Sequence, residues 1–236
     1  MVVPFDQSRA RGALAALLLA CVAGCAEDSV LPPGHAELRK ALGENGMAAI
    51  ASDGGRITVV SLRDAGIRDI RPLAGLPLVA LDLTGLPVAD LAPLEGMPLE
   101  ELFLNDTPVA DLSPLAGMRL RRLELRNTRV TDIRPLAGMP LASLDLSGTP
   151  LADIEAAKTF RGLERLNIAD TEIADLAPLT GLSLKELIFT PSRIERGLEA
   201  IRGMGSLEVL DVRRREGQQL APADFWGRHD AGEFAD

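Results

Sequence analysis

The sequence has few aromatic residues and an excess of acidic ones. Tyrosine is absent, tryptophan occurs once, and aromatic side chains make up only 3% of the 236 residues. Stacking platforms for nucleic-acid bases or sugars need several aromatic side chains, so this composition disfavours them. The formal charge is −9, and it becomes about −10 if the first 24 residues are removed. This acidity opposes nucleic acids and anionic lipid headgroups as primary partners.

Histidine and cysteine are also scarce, which removes the common catalytic and metal-binding patterns. The two histidines, His35 and His229, lie near opposite ends of the chain, so no His pair has metal-ligand spacing. The chain contains no Cys-x-x-Cys, G-x-S-x-G, P-loop or kinase catalytic signature. The sequence therefore predicts a protein that is not an enzyme and that uses no cofactor or metal.

The two cysteines, Cys21 and Cys25, lie within and just after an apolar run near the N-terminus. Arg9 and Arg11 precede residues 13–22, an apolar stretch too short to span a bilayer but suited to a signal peptide. Residues 22–25, Val-Ala-Gly-Cys, resemble a bacterial lipobox, which is cleaved before a cysteine that then receives lipid. We therefore expect a lipoprotein signal peptide over residues 1–24, then lipidated Cys25 and a tether over residues 25–35. An ordinary secretory signal is the alternative.

Removal of that signal leaves Cys25 as the sole cysteine, so no internal disulfide is possible. A free exposed thiol is unusual in an oxidising compartment, and lipidation accounts for it. Lipid on Cys25 would hold the protein on a membrane. The resemblance to lipoproteins implies a bacterial cell envelope. Ala26 after the cysteine favours the outer membrane or cell surface over the inner membrane.

A 21-residue repeat occupies most of the remaining chain. Leu78, Leu99, Leu120 and Leu141 each open a unit that reads L-x-x-L-x-L. A period of this length is typical of a solenoid, whose units bury their apolar faces only by stacking. We expect an N-terminal cap over residues 36–56, repeats over residues 57–206, and the last strand with a C-terminal cap over residues 207–236. The N-terminal cap should combine a helix at residues 36–42 with a hairpin at residues 50–60.

Residues 99–119 show how one unit should fold. Leu102 and Leu104 alternate with more exposed positions, which predicts a short strand, and an Asn-Asp-Thr-Pro turn follows. Apolar residues at spacings of three then predict a 3₁₀ turn on the opposite side. We expect the Thr at the ninth position to bond neighbouring turn backbone as a ladder between units, and the Gly at the nineteenth to fit a tight exit. These columns are Thr107, Thr128, Thr149 and Thr171, and Gly75, Gly96, Gly117, Gly138 and Gly181.

An aspartate column stands before each predicted 3₁₀ turn, with proline three residues later in most units. An aspartate there can accept hydrogen bonds from free N–H groups, and proline fits an early position that lacks a partner. Metal binding is the alternative, but calcium-type nonapeptide repeats are absent. The column comprises Asp69, Asp90, Asp111, Asp132, Asp153 and Asp175.

Two units and the C-terminus depart from the regular pattern. Residues 141–162 should form a longer helical turn with Phe160 packed beneath it, and residues 184–206 should contain an amphipathic helix. The last segment, residues 225–234, reads F-W-x-x-x-D-A-G-E-F. We expect Phe225, Trp226 and Phe234 to seal the open end of the core.

The unit resembles the leucine-rich repeat, in the variant found in internalin-like bacterial repeats. The terminal segment at residues 225–234 is similar to one that closes a group of bacterial 21-residue arrays. The resemblance implies an α/β solenoid with a curved parallel sheet on the concave face and short 3₁₀ or helical turns on the convex face. Similar arrays occur alone or attached to bacterial kinases, so the family implies a module type and not a ligand.

The concave face is where we expect function. Eight strands at about 4.8 Å spacing give an arc of roughly 35–40 Å. In its middle, Phe103 should be a lone exposed aromatic amid mixed charges, a composition typical of protein-binding surfaces. The candidate site residues are Glu101, Phe103, Arg122, Glu124, Arg126, Asp145 and Arg165.

Other interpretations remain open. Mixed charges could simply keep this face soluble. We expect a monomer that binds a protein partner, with envelope glycan or peptidoglycan binding, or a spacer role, as alternatives.

Overall fold

A computed structural model describes residues 38, 40, 49–53, 56–212 and 220–234 of the chain. The predicted signal peptide, Cys25, the tether and most of the predicted helix at residues 36–42 lie outside this part. Leu38 is helical and buried in the core. Within the described residues, nine strands form one sheet in sequence order. They are β1 (Ala49–Asp53), β2 (Arg56–Ser61), β3 (Ala80–Asp82), β4 (Glu101–Phe103), β5 (Arg122–Glu124), β6 (Ser143–Asp145), β7 (Arg165–Asn167), β8 (Glu186–Ile188) and β9 (Val209–Asp211).

The repeat sets the register of the sheet. Strands β2 to β9 pair in parallel, and Leu81, Leu102 and Leu123, which lie 21 residues apart, are directly opposite one another. The longer units keep this alignment, since Ser143 pairs with Arg165 and Glu186 pairs with Val209. Strand β1 pairs with β2 in antiparallel fashion, which confirms the predicted hairpin. Insertions are therefore absorbed outside the strands.

A row of 3₁₀ turns lies across the core from the sheet. In the first four and the sixth, proline occupies the second position and an aspartate precedes the turn. The aspartate Oδ1 accepts a hydrogen bond from the backbone N–H two residues later, as Asp111 does from Ser113 at 2.8 Å. The same bond forms at the other five aspartates, which confirms the predicted capping role. The six turns of this row are Arg71–Leu73, Ala92–Leu94, Ser113–Leu115, Arg134–Leu136, Glu155–Thr159 and Ala177–Leu179; a seventh 3₁₀ turn in the described chain, Pro191–Arg193, directly follows β8.

The threonine column does not form the ladder that the sequence predicted. Thr107 Oγ1 donates to the carbonyl of Leu104 at 2.7 Å, and Thr128 donates to Leu125 at the same distance. Thr149 and Thr171 make the equivalent bonds. Each hydroxyl thus closes the turn of its own unit by bonding the carbonyl three residues earlier. The glycine column does adopt the left-handed backbone that a tight exit requires.

One continuous core runs the length of the array. The middle residue of nearly every parallel strand points inward, and leucines from the sheet meet leucines from the 3₁₀ turns. A fully buried leucine contributes roughly 1.5–3 kcal/mol relative to an exposed one. Since the leucines of each unit pack against those of its neighbours, a single unit would leave much of its apolar surface in water. Stacking is therefore the condition for folding.

The irregular units and the cap fold as their sequences predict. Phe160 is fully buried beneath the five-residue turn Glu155–Thr159, and helix α1 (Leu198–Arg202) replaces the 3₁₀ turn in the last full repeat. Helix α2 (Pro222–Asp230) closes the C-terminal end. Phe225 is fully buried there, with its ring 5.5 Å from Phe189 and 5.2 Å from Phe234.

Candidate functional site

Two rows of side chains cover the concave face of the sheet. In each three-residue strand the middle residue enters the core, so the first and third residues point away from it. Neighbours within a row lie on adjacent strands about 4.8 Å apart. Glu101, Arg122, Ser143 and Arg165 are consecutive in the first row. The third-residue row places Phe103, Glu124, Asp145 and Asn167 beside one another.

The prediction that Phe103 is exposed was wrong. The residue is only 8% accessible and forms a small apolar cluster with Val59 and Ala80 on the concave side of the sheet. The Arg122 guanidinium covers the ring, with its Cζ 5.0 Å from the ring centroid. Ala80 is small, so the ring folds over it toward β2 while Arg122 closes the other side. Phe103 therefore packs beneath the Arg122 guanidinium and exposes little area to a partner.

Arg122 and Glu124 are locked together by direct and indirect hydrogen bonds. Arg122 donates to Glu124 Oε1 from Nη2 at 2.7 Å and from Nε at 3.0 Å. Glu124 Oε2 accepts from Asn105 Nδ2 at 2.8 Å, and Asn105 Oδ1 accepts from the backbone N–H of Arg126 at 2.9 Å. The Arg122 and Glu124 side chains are 14% and 20% exposed, which shields this pair from solvent. The centre of the face is thus a fixed polar network on an aromatic base.

Asn105 is the residue of this network that sequence reasoning missed. It is buried two residues after β4, and it links the carboxylate of Glu124 to the backbone N–H of Arg126, two residues after β5. Its position in an Asn-Asp-Thr-Pro turn favoured a local turn role, so no signal in the sequence marked it as a partner of β5.

Arg126 marks the edge of the concave face beyond the carboxyl end of β5. Its side chain is 39% exposed, and Nη2 lies 3.4 Å from Asp106 Oδ2. Asp106 Oδ1 also accepts from Asn127 Nδ2 at 2.7 Å, so this carboxylate is shared. Among the described residues, Arg126 Nε is buried and has no hydrogen-bond partner. Arg126 is therefore held loosely by one shared carboxylate.

Asp145 and Arg165 lie farther along the sheet and differ in how they are held. Asp145 Oδ1 accepts from the backbone N–H of Ser147 at 2.9 Å and from its hydroxyl at 2.6 Å, so it shapes the turn after β6. Arg165 is half-buried, and its Nε is buried with no hydrogen-bond partner in the described chain. It lines a shallow depression with Ser143, Asn167 and Glu186.

The structure thus groups the predicted site residues unevenly. Phe103, Arg122, Glu124 and Arg126 belong to one connected cluster. Glu101 borders that cluster from β4, half-buried and directly opposite Arg122. Asp145 and Arg165 belong to the neighbouring depression.

The described residues lack the features of two other kinds of site. No group of three or more His, Cys, Asp or Glu side chains in that part of the chain is arranged to hold a metal ion. None of the helices found in it combines the length and apolar character needed to cross a membrane.

Comparison with known proteins relates the chain to solved structures. No protein-family model matches the sequence, and a search of curated proteins gives no match. Internalin C2 from Listeria monocytogenes is similar at 24% identity and a TM-score of 0.58, over 79% of this chain and 89% of that one. Internalin F from the same organism is 19% identical with a TM-score of 0.57, over 90% of this chain and 65% of that one.

A third similar structure is that of the Arabidopsis receptor kinase HAESA, in complex with the peptide hormone IDA and the co-receptor SERK1. It is 17% identical with a TM-score of 0.56, over 84% of this chain and 37% of that one. The chain thus spans less than two thirds of internalin F and little more than a third of HAESA. All three structures are less than 25% identical to this chain, so the similarity supports an inference about the fold alone. Together with the sheet of parallel strands in sequence order, they identify this chain as a leucine-rich-repeat solenoid.

Proposed function

We propose that this chain is a non-catalytic recognition module that binds a protein partner through its concave face. The observation that carries the proposal is that a rigid polar network at Arg122 and Glu124 lies on the same face as Arg165, whose Nε is buried and has no hydrogen-bond partner among the described residues. A buried donor that lacks a partner is costly, and a carboxylate or carbonyl from a ligand would satisfy it.

Preorganisation of the network favours binding. Arg122 is fixed between the Phe103 ring and Glu124, so little side-chain freedom would be lost when a partner docks on it. The HAESA structure provides a precedent, since that leucine-rich-repeat receptor kinase is in complex with a peptide hormone. The internalin structures share the fold of this chain.

A pull-down from the source envelope tests this function with the purified full-length chain as bait. The matched variant is Arg165→Glu, because Arg165 has no ion-pair partner among the described residues, and a thermal melt checks that the new carboxylate opposite Glu186 leaves the variant folded. The control is Arg68→Glu, which makes the same charge change at an exposed position outside the sheet. We expect one protein to be retained by the native and control baits and depleted at least tenfold by Arg165→Glu.

The other outcomes would contradict the proposal or favour a different function. If no protein distinguishes native from Arg165→Glu bait, concave-face protein binding is wrong. Retention of envelope glycan or peptidoglycan by the native bait, and its loss with Arg165→Glu, would move glycan binding ahead. If Arg165→Glu changes the retention of neither protein nor glycan, a spacer role is favoured.

We further propose that lipid on Cys25 attaches this module to a bacterial cell envelope, on the outer membrane or cell surface. The supporting observation is the Val-Ala-Gly-Cys sequence after the apolar run at residues 13–22. Metabolic labelling with a palmitate analogue should mark the native protein in the source organism and leave Cys25→Ser unlabelled. Equal labelling of both, or of neither, would contradict the assignment.

A further inference from the structure

Positive charge on this acidic protein is concentrated in β5 and its two flanking segments. Residues 119–129 contain five arginines and one glutamate, a formal charge of +4, whereas the whole chain carries −9. Because β5 crosses the sheet from one edge to the other, these arginines form a band that is transverse to the long axis of the solenoid. The arginine band comprises Arg119, Arg121, Arg122, Arg126 and Arg129.

The two ends of the arginine band carry unpaired charge. Arg119 and Arg121 precede β5 and Arg129 follows it; all three are exposed, and none has a side-chain hydrogen bond or ion pair within the described residues. In the middle, Arg122 is neutralised by Glu124 at 2.7 Å. Exposed positive charge therefore lies before and after β5, with Asp106 beside Arg126 at the far end, whereas the strand itself is nearly neutral.

The spacing of the arginines nearest each end of β5 sets the length of a matching ligand. Arg126 lies five positions after Arg121, which is about 16 Å in an extended chain that rises about 3.3 Å per residue. An extended peptide covers this distance with about five residues. Its carboxylates would therefore need to lie near both ends, with uncharged residues over the Arg122–Glu124 pair.

Acidic residues on the neighbouring strands limit the width of that ligand. Glu101 lies directly opposite Arg122 on β4, and Asp145 lies directly opposite Glu124 on β6. A broad polyanion, such as an anionic glycan or a membrane surface, would meet these carboxylates as well as the arginines. A single narrow strand of peptide meets mainly the arginines.

The guanidinium groups of the band suit carboxylates, although arginine supplies 22 of the 25 basic residues of the whole chain and is not special to this segment. All the basic residues in residues 119–129 are arginine. The planar guanidinium binds a carboxylate through two parallel N–H donors, which a lysine ammonium does not do. Since the rest of the chain is acidic, an acidic segment would be repelled elsewhere and attracted at this band.

We propose that the arginine band binds an extended acidic segment of the partner protein, about five to seven residues long, that crosses the concave face along β5. This inference rests on the proposed concave-face function and adds the chemistry, length and direction of what is bound. The segment carries carboxylates near both ends and an uncharged middle.

A peptide-binding measurement tests the inference with the purified full-length chain. The probe is the N-acetylated, C-amidated heptapeptide EEGSGEE, compared with neutral QQGSGQQ and with GEEEEGS, which has the same charge gathered centrally. We expect EEGSGEE to bind at least tenfold more tightly than QQGSGQQ at low salt, and more tightly than GEEEEGS. The Arg121→Glu/Arg129→Glu variant should lose this preference, while Arg68→Glu/Arg193→Glu, with the same charge change outside the sheet, should keep it.

Thermal melts check that the variants remain folded, which we expect because Arg121 and Arg129 are exposed and make no side-chain bond to any residue that the structure describes. Equal binding of EEGSGEE and QQGSGQQ, or binding that survives Arg121→Glu/Arg129→Glu, would overturn the inference. Tighter binding of polygalacturonate or phosphatidylglycerol vesicles through the same arginines would also overturn it, in favour of a glycan or lipid ligand.

These results separate the inference from the broader function. The peptide assay needs no envelope material. If no peptide binds but an envelope protein is captured in an Arg165-dependent way, only the inference of an acidic segment is refuted. Failure of that capture refutes the proposed function itself.

Discussion

Gly197 immediately precedes helix α1 and lies against the backbone of the preceding repeat. We expect its replacement by alanine to be severely destabilising. Its φ is +84°, a left-handed conformation that costs alanine roughly 1–2 kcal/mol. A Cβ added there would lie 2.2 Å from the Ala177 backbone nitrogen and 2.6 Å from the Leu176 carbonyl carbon. Both contacts are with backbone of the preceding repeat, which the bond from the Leu176 N–H to the Arg196 carbonyl holds at 3.0 Å.

The magnitude follows from adding these two effects. Overpacking against rigid surroundings costs roughly 1–3 kcal/mol, so Gly197→Ala should lose about 2–5 kcal/mol in total. For a domain of this size, each kcal/mol lowers Tm by about 2–4 °C, so the expected drop is about 4–20 °C.

Two control glycines separate the contributions. Gly117 has φ +75° with no atom within 4 Å of an added Cβ, so Gly117→Ala should cost only about 1–2 kcal/mol. Gly205 also has open space, and its backbone is outside the left-handed region. Gly205→Ala should therefore stay within about 0.5 kcal/mol of the native protein.

Urea and thermal unfolding provide the assay, followed by circular dichroism and by fluorescence of Trp226, the sole tryptophan. Because repeats interact mainly with their neighbours, Gly197→Ala should shift the Trp226 transition in the cap at least as much as the dichroism transition. If Gly197→Ala is no more destabilising than Gly117→Ala, the argument from close backbone approach is wrong.

Two further predictions concern the core and the turn carboxylates. Phe160→Ala should lose about 3–5 kcal/mol in urea unfolding, because the ring is fully buried, and Phe160→Leu should lose much less. Arg71 lowers the pKa of Asp69 from 3.8 to about 2 through its side-chain and backbone hydrogen bonds, and Arg134 lowers the pKa of Asp132 in the same way. A lowered folded-state pKa stabilises the fold above pH 3.8 and is lost as pH falls toward 2. Tm should therefore drop in that window, and Asp69→Asn/Asp132→Asn should flatten the drop; an unchanged pH profile would contradict this account.

Much of the fold could be predicted from the chain alone because its determinants are local or periodic. The 21-residue spacing of Leu81, Leu102 and Leu123 fixes which residues are opposite in the sheet. The aspartate before each 3₁₀ turn reaches an N–H only two residues away, so its role is visible within one unit. Phe160 and Phe225 were predictable because the longer units and the open end of a solenoid both need large apolar side chains.

The candidate site could be predicted only in outline. Which residues point to the concave face follows from alternation along a strand, and Arg122, Glu124 and Arg126 do lie together there. Phe103 is buried because Ala80, on the next strand, leaves room for its ring, and Arg122 covers what remains. Asn105 joins the network because its amide reaches Glu124, 19 residues later in the chain.

By itself, then, the sequence determined the repeat, the sheet register, the capped turns and the sealed C-terminal end. Tertiary structure alone decided which concave residues are exposed, which carboxylates already accept hydrogen bonds or form ion pairs, and which arginines lack a partner among the described residues. The physical reason is that each concave side chain is surrounded by residues about 21 positions away, so its burial and pairing depend on the sizes and charges of neighbours that no single unit contains.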